Sequence, residues 1–169
     1  MEKKDTAQVT KLLKQQTQKY KVHYKFSQDD VIHWILPKDE VVWTWVIENE
    51  DEKGNKVVTD FFSMYRLTQT CTSKKELGHK WDVMHSGCLF YYALTANTLA
   101  DMIKQCMWLA KEEAECDAFS VQTLMDNTPD VFIDDLRFCY GDGALHWYLV
   151  NWALGGKKVT SNDIGTMLI

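Results

Sequence analysis

The sequence predicts an α/β fold in which a mixed, mostly antiparallel sheet is flanked by helices. Amphipathic helical patterns alternate with β-branched and aromatic runs in the order helix, helix, three strands, helix, strand, helix and two strands, which is typical of this class. No repeat or linker-like segment interrupts the chain. Because 169 residues are also enough for one well-buried core, we expect a single domain over residues 1–169.

Two helices are predicted at the start of the chain. Asp-Thr-Ala-Gln at 5–8 resembles a capping box, and the helix after it is expected to run to about residue 20. Ser27 is predicted to cap a second, shorter helix that Pro37 ends. The inward faces of the two helices are predicted to carry Val9, Leu12, Leu13, Gln16, Tyr20, Val31, Trp34 and Ile35.

Three strands are predicted next. The β-branched and aromatic run at 41–47 indicates a central strand, and the charged turn at 50–55 leads into a second strand at 57–67, which makes a hairpin. The polar residues 68–80 indicate a loop. The apolar run at 88–94 predicts a buried strand.

The second half of the chain continues the alternation. Asn97 is expected to cap a helix that runs through residue 114, and a strand is expected at 118–124. Pro129 occupies the favoured first position of a short helix. Strands at 145–152 and 164–169 are predicted to close the chain.

Composition limits the classes of partner. The formal net charge of -5 argues against nucleic acid and mildly favours a basic ligand. No apolar run approaches the ~20 residues of a membrane span, and the first residues show no signal peptide, so we expect a cytoplasmic protein without a transmembrane segment. Five cysteines without a Cys-x-x-Cys pair predict reduced thiols, and five histidines without ligand spacing predict no metal site.

The last thirty residues carry the main candidates for a functional site. A Gly-Asp-Gly turn at 141–143 precedes an aromatic-rich stretch, and the chain finishes in the apolar sequence Gly-Thr-Met-Leu-Ile at 165–169. Most chains end in frayed polar residues, so this ending predicts that the carboxylate of Ile169 is held in a buried place. Taken alone, the turn and the strand are better explained as ordinary structural features than as a functional site.

Several dense blocks resemble the C-terminal half of the protein (glycylpeptide) N-myristoyltransferase family. They are Phe-Cys-Tyr-Gly-Asp-Gly-Ala-Leu-His-Trp-Tyr-Leu-Val-Asn-Trp at 138–152, His-Trp-Ile-Leu-Pro at 33–37, Val-Thr-Asp-Phe-Phe-Ser-Met-Tyr at 58–65 and Leu-Met-Asp-Asn at 124–127. The resemblance covers nearly the whole chain. It implies a single unit of the acyl-CoA N-acyltransferase (GNAT-like) fold.

The resemblance also implies roles for individual residues. The carboxylate of Ile169 would be the catalytic base that deprotonates the N-terminal glycine of an acceptor. Asp142, Gly143 and Leu145 would line the acceptor-peptide groove. Leu89 stands where the family has a serine that reads the acceptor, so the preference for a small polar residue is expected to change. Phe90 and Tyr91, which follow it, are either groove wall or core.

The expected co-substrate is myristoyl-CoA, with no permanently bound cofactor, and the expected partners are acyl-CoA and proteins with an N-terminal glycine. The family's N-terminal half, which supplies most of its acyl-CoA site, has no counterpart in this sequence. The segment 94–98 before the long helix also lacks the glycine-rich phosphate loop of single-unit acyltransferases. A homodimer or a partner chain is therefore expected to stand in for the missing half.

Two functions remain open at this point. The first is an N-acyltransferase that moves a myristoyl group from acyl-CoA to an N-terminal glycine. The second is a catalytically incomplete module that recognises glycine-starting peptides as a decoy, a regulator or half of a two-chain enzyme. The Gly-Asp-Gly turn and the terminal strand fit both.

Overall fold

A computed structural model describes residues 1–70, 82–152, 155–156 and 158–167. Its sheet contains four strands in the order β2-β3-β4-β5, namely Val42–Glu50, Lys56–Thr70, Val83–Ala93 and Ala118–Ser120. The first two pairs are antiparallel and β4 pairs with β5 in parallel. A separate parallel pair joins β1, Val22–His23, to β6, Ile164–Gly165. The predicted α/β class with a mixed, mostly antiparallel sheet is confirmed.

The part of the chain that the structure describes contains three α-helices. They are α1 at Thr6–Thr17, α2 at Gln28–Trp34 and α3 at Leu99–Glu112. Helix α1 packs against β3 and β4, and α3 packs against β3. Shorter turns of 3-10 type occupy Lys3–Asp5 and Ser161–Asp163, and a short π-helical segment occupies Asp130–Asp135. No helix among the described residues is long and apolar enough to cross a membrane.

Strand β4 lies at the centre of the core. Five successive residues, 89–93, are buried. Side chains alternate between the two faces of a strand, so burial without alternation means that both faces of β4 are covered. The apolar run at 88–94 is therefore confirmed as a buried strand. By contrast, the strand predicted at 41–47 to be central, β2, ends one side of the described four-stranded sheet.

The predicted helix caps are partly right. Ser27 caps α2, because its Oγ accepts a hydrogen bond from the Asp30 N–H at 3.1 Å. The predicted box at 5–8 is wrong. Asp5 accepts from the Glu2 N–H at 2.7 Å, and the side-chain carbonyl of Gln8 instead accepts from the Val58 N–H in β3 at 2.9 Å.

The strand predicted at 145–152 is also wrong. Residues 138–152 carry no regular secondary structure, and Tyr148 and Trp152 are 81% and 80% exposed. None of the described strands pairs with this stretch. Because β propensity expresses packing against neighbouring strands, an aromatic run without such a neighbour does not form a ladder. Of the strand predicted at 164–169, β6 includes Ile164 and Gly165, whereas residues 168 and 169 lie outside the described part.

Candidate functional site

A cavity of about 750 Å³ lies where the last part of the chain meets the body of the domain. Its walls come from the β1/β6 pair, the segment 121–124, the π-helical segment and the stretch 138–149. The size is typical of ligand sites. The lining residues used below are Val22, Gln122, Thr123, Gly141, Gly143, Leu145, His146, Trp147 and Ile164.

The C-terminal segment is fixed at one edge of this cavity. Ile164 pairs with Val22, and Gly165 pairs with His23, in the parallel ladder. A side chain at Gly165 would overlap the ring of Tyr20, since a Cβ placed there would lie 2.3 Å from Tyr20 Cδ2. Such close approach of a ring to the backbone requires glycine.

The segment is held again two residues further on. The buried Met167 N–H donates a hydrogen bond to the phenol oxygen of Tyr91 at 3.0 Å. The Tyr91 ring packs edge-on against Phe26, with centroids 4.9 Å apart. Burial raises the pKa of Tyr91 above its ordinary value. The phenol therefore stays neutral and keeps its oxygen available as an acceptor.

Ser63 of β3 fixes the backbone of Tyr91. The Ser63 hydroxyl donates to the Tyr91 carbonyl at 2.7 Å and accepts from the Tyr91 N–H at 3.1 Å. These bonds lie at a bulge between Phe62 and Met64, where the ladder is irregular. Tyr91 thus positions the terminal segment without lining the cavity, and the sequence alone did not indicate this role.

The Gly-Asp-Gly turn contributes directly to the cavity. Gly141 and Gly143 line it, and Leu145 lines it while remaining 62% exposed. Asp142 is exposed between the two glycines. A Cβ atom built on Gly141 or on Gly143 would have open space around it, with nothing within 4 Å. The turn therefore presents open backbone to an apolar cavity, with the exposed Asp142 between the two lining glycines.

The other candidates from β4 do not reach the cavity. Leu89 and Phe90 are each 1% exposed and belong to the hydrophobic core. Leu89 lies opposite Met64 in the β3/β4 ladder. Buried side chains of this kind offer no surface to a peptide in this arrangement. The carboxylate of Ile169 lies outside the described residues.

A buried polar network supports the wall at 121–124. The Tyr92 hydroxyl donates to Asn127 Oδ1 at 2.8 Å, and Asn127 Nδ2 donates to the Gln122 main-chain carbonyl at 2.9 Å. The Leu124 N–H donates to the same carbonyl at 2.8 Å. Burial raises the pKa of Tyr92, which keeps it a neutral donor. Asn127 appeared in the sequence only as part of a resembling block, without a role.

The carboxylate of Asp60, a buried residue of β3, contacts the turn before α3. Asp60 Oδ1 accepts hydrogen bonds from the Thr95 N–H at 2.7 Å, the Ala96 N–H at 3.0 Å and the Asn97 N–H at 3.3 Å. Burial opposes ionisation of Asp60, but these bonds and one from the Thr59 hydroxyl hold its pKa below the ordinary value.

This arrangement corrects the predicted cap of α3. Thr98 caps the helix by accepting from the Asp101 N–H at 3.2 Å, whereas the Asn97 side chain donates to Asp60 at 3.0 Å. The backbone N–H groups at 95–97 are therefore directed to an internal carboxylate. No phosphate-binding loop was expected here from the sequence, and these donors already have an anionic partner.

The thiols and potential metal ligands add no further site. Cys88, Cys106, Cys116 and Cys139 are free, as predicted, and burial raises the pKa of Cys106 to about 12. Cys71 lies outside the described residues. Within the described ranges, no group of three His, Cys, Asp or Glu side chains is placed to hold a metal ion.

Comparison with known proteins identifies close relatives in sequence. The family model described as Myristoyl-CoA:protein N-myristoyltransferase, C-terminal domain, matches residues 1–167. A glycylpeptide N-tetradecanoyltransferase of Plasmodium falciparum is 37% identical over 153 residues, which are 90% of this chain and 34% of that protein. The chain therefore spans about a third of the length of the curated relatives that it matches.

Solved structures agree with this relationship. The crystal structure of Saccharomyces cerevisiae N-myristoyltransferase with bound myristoyl-CoA matches with a TM-score of 0.70 and 28% identity, over 85% of this chain and 37% of that one. A ribosomal-protein-alanine N-acetyltransferase from Brucella melitensis matches 90% of this chain and 96% of its own at a TM-score of 0.53 and 13% identity, which shows the fold alone. The chain belongs to the myristoyl-CoA:protein N-myristoyltransferase family and corresponds to its C-terminal domain.

Proposed function

We propose that this chain acts in the transfer of a myristoyl group from myristoyl-CoA to the N-terminal glycine of acceptor proteins, and that it supplies the acceptor site and the catalytic base. The cavity carries the proposal, because it brings together the Gly-Asp-Gly turn, an apolar wall and the anchored C-terminal segment. Membership of the family supports the reaction.

In the proposed complex, the glycine end of the acceptor enters the cavity past Gly141 and Gly143. Leu145 and the aromatic stretch contact its apolar side chains. Asp142, exposed between these glycines, would pair with a basic residue or with backbone N–H groups of the acceptor. An acidic chain with a net charge of -5 suits such a ligand. Leu89 and Phe90 would act through packing, and Tyr91 through its hydrogen bond to Met167.

The base in this proposal is the carboxylate of Ile169, which follows Met167 by two residues in the sequence. The glycine ammonium transfers a proton to it, and the freed amine attacks the thioester carbon. The carbon–sulfur bond then breaks, CoA leaves as the thiol after taking up a proton, and an amide remains. In water the two groups differ by ~4 pKa units, which makes the transfer unfavourable by about 5–6 kcal/mol. Apolar surroundings raise the carboxyl pKa and lower the amine pKa, which reduces this difference.

The donor is proposed to be held outside the turn at 95–97. In single-unit acyltransferases a turn of this kind presents N–H groups to the CoA pyrophosphate. Here Asp60 already accepts those hydrogen bonds, and its negative charge would repel a phosphate. The proposal therefore places the pyrophosphate on another surface.

A homodimer or a partner chain is part of the proposal. The side chains of Tyr148, Val150 and Trp152 are largely exposed, and exposed apolar patches are typical of interaction sites. Light scattering across a concentration series would report such an assembly as a mass above that of one chain. The cytoplasmic location stays a prediction.

The acceptor site is tested by titrating a lysine-containing hexapeptide that starts with glycine into the chain and into the variant Asp142→Ala. We expect the variant to bind about two- to fivefold more weakly, which is the usual effect of an exposed ion pair. Asp39→Ala is the matched control, because Asp39 is also exposed but has no cavity-lining neighbour in the sequence, whereas Asp142 lies between two lining glycines. Equal affinity of all three proteins would remove Asp142 from the site.

A further inference from the structure

One polar group in the cavity wall is left without a partner. Gln122 lines the cavity, and its side-chain oxygen Oε1 is closed off from solvent yet has no hydrogen-bond partner among the residues that the structure describes. Buried polar atoms are nearly always paired, and an unpaired carbonyl is costly. An exception of this kind requires an explanation.

The main chain of Gln122 holds the wall without help from the side chain. Asn127 and Leu124 both donate to its main-chain carbonyl. In the observed position Oε1 is closed off, so pairing with a peptide requires the side-chain amide to turn about its soft terminal torsion. Such a rotation turns either the carbonyl or the NH₂ group toward the cavity without moving the backbone.

We propose that Gln122 determines acceptor specificity by pairing with a hydrogen-bonding side chain, a hydroxyl or an amide, near the glycine end of the acceptor peptide. The inference rests on the proposed function. Apolar residues, including Leu124 and Phe132, line the same cavity, so a polar side chain that enters the cavity loses water and regains a partner at Gln122. An alanine at the same place leaves Gln122 unpaired.

This assignment complements the position of Leu89. The family resemblance placed a lost hydroxyl contact at Leu89, but that side chain is buried in the core. Gln122 would supply a polar contact from a different element, the segment after β5. We therefore expect the acceptor site to prefer a peptide with a polar side chain, and we expect this preference to depend on Gln122.

The test uses hexapeptides that start with glycine, in which a single serine moves through positions 2 to 6 of an otherwise constant alanine background. Binding is measured by calorimetry. We expect one serine position to improve affinity roughly five- to tenfold over the alanine peptide. In Gln122→Met, which keeps the length of the side chain, that advantage should fall below twofold. Thr123→Val, a change in the same wall, should retain it.

The melting temperature separates recognition from a structural role. Because the Gln122 side chain makes no bond among the described residues, Gln122→Met should melt at the same temperature as the parent chain or higher. Peptide binding without any serine advantage, or an advantage that survives in Gln122→Met, would overturn this inference and leave the proposed function standing. Failure of every glycine-starting peptide to bind would overturn both.

Discussion

Tyr91→Phe isolates the hydrogen bond that anchors the C-terminal segment. The change removes only the phenol oxygen and keeps the ring, which contacts Phe26 at 4.9 Å and Phe90 at 4.6 Å between centroids. The Met167 N–H then loses its acceptor at a buried position. Leaving such a donor unpaired costs about 1–3 kcal/mol.

This free energy predicts two measurable effects. If the loss is global, the midpoint of thermal unfolding falls by roughly 2 to 12 °C, at about 2–4 °C per kcal/mol for a chain of this size. If it is local, the segment opens more often, and exchange of the Met167 amide proton accelerates by about 5- to 150-fold. Because the segment precedes the proposed base, a looser segment should also slow transfer by about 10- to 100-fold.

The assay is amide hydrogen exchange followed by nuclear magnetic resonance, together with thermal unfolding. Thr44→Val is the matched control, since it removes a buried hydroxyl that donates to the Ile35 carbonyl and lies away from the cavity lining. The control should lower stability without selectively exposing Met167. An unchanged melting midpoint with unchanged Met167 protection in Tyr91→Phe would refute the anchoring role.

Two further predictions concern the carboxylates of Asp60 and Ile169. Asp60→Asn should lower the free energy of unfolding by about 2–4 kcal/mol at neutral pH, because three backbone N–H groups lose a charged acceptor. Since the folded-state pKa of Asp60 is depressed, its contribution is present above the unfolded pKa of ~3.9 and is lost as pH falls through the folded value. Urea titrations should therefore show the variant and parent converging in acid, and a constant gap at all pH values would contradict this role. Adding two residues after Ile169 should abolish transfer while leaving the unfolding midpoint unchanged; retained turnover would exclude the terminal carboxylate as base.

The sequence predicted the local elements well. The hairpin of β2 and β3, the cap at Ser27 and the inward positions Val9 and Leu13 depend on short-range patterns, and the structure has all of them. Trp34, which was also predicted to face inward, is exposed. The long helix after residue 97 was also expected, with its start misplaced by one residue because Asn97 donates to a distant carboxylate instead of capping. Such a long-range partner leaves no local signal.

The candidate site was harder to predict from the sequence, because it also depends on contacts between residues that are far apart in the chain. The Gly-Asp-Gly turn and Leu145 were found through short motifs. Gly141, Gly143 and Leu145 line the cavity, and Asp142 lies between the two glycines. The pairing of Met167 with Tyr91 joins residues separated by 76 positions. No periodic pattern in the sequence indicates a contact between residues so far apart. The aromatic stretch at 145–152 has strand propensity, but propensity does not specify whether a neighbouring strand is present.

The most direct test of the central claim is the intact mass of a glycine-starting peptide after incubation with this chain and myristoyl-CoA, beside a reaction without protein. We expect the peptide to gain the mass of one myristoyl group, and the same peptide with an acetylated N-terminus to gain nothing. A glycine peptide that binds to the chain but never gains this mass would contradict transfer by this chain without a partner chain and leave peptide recognition alone.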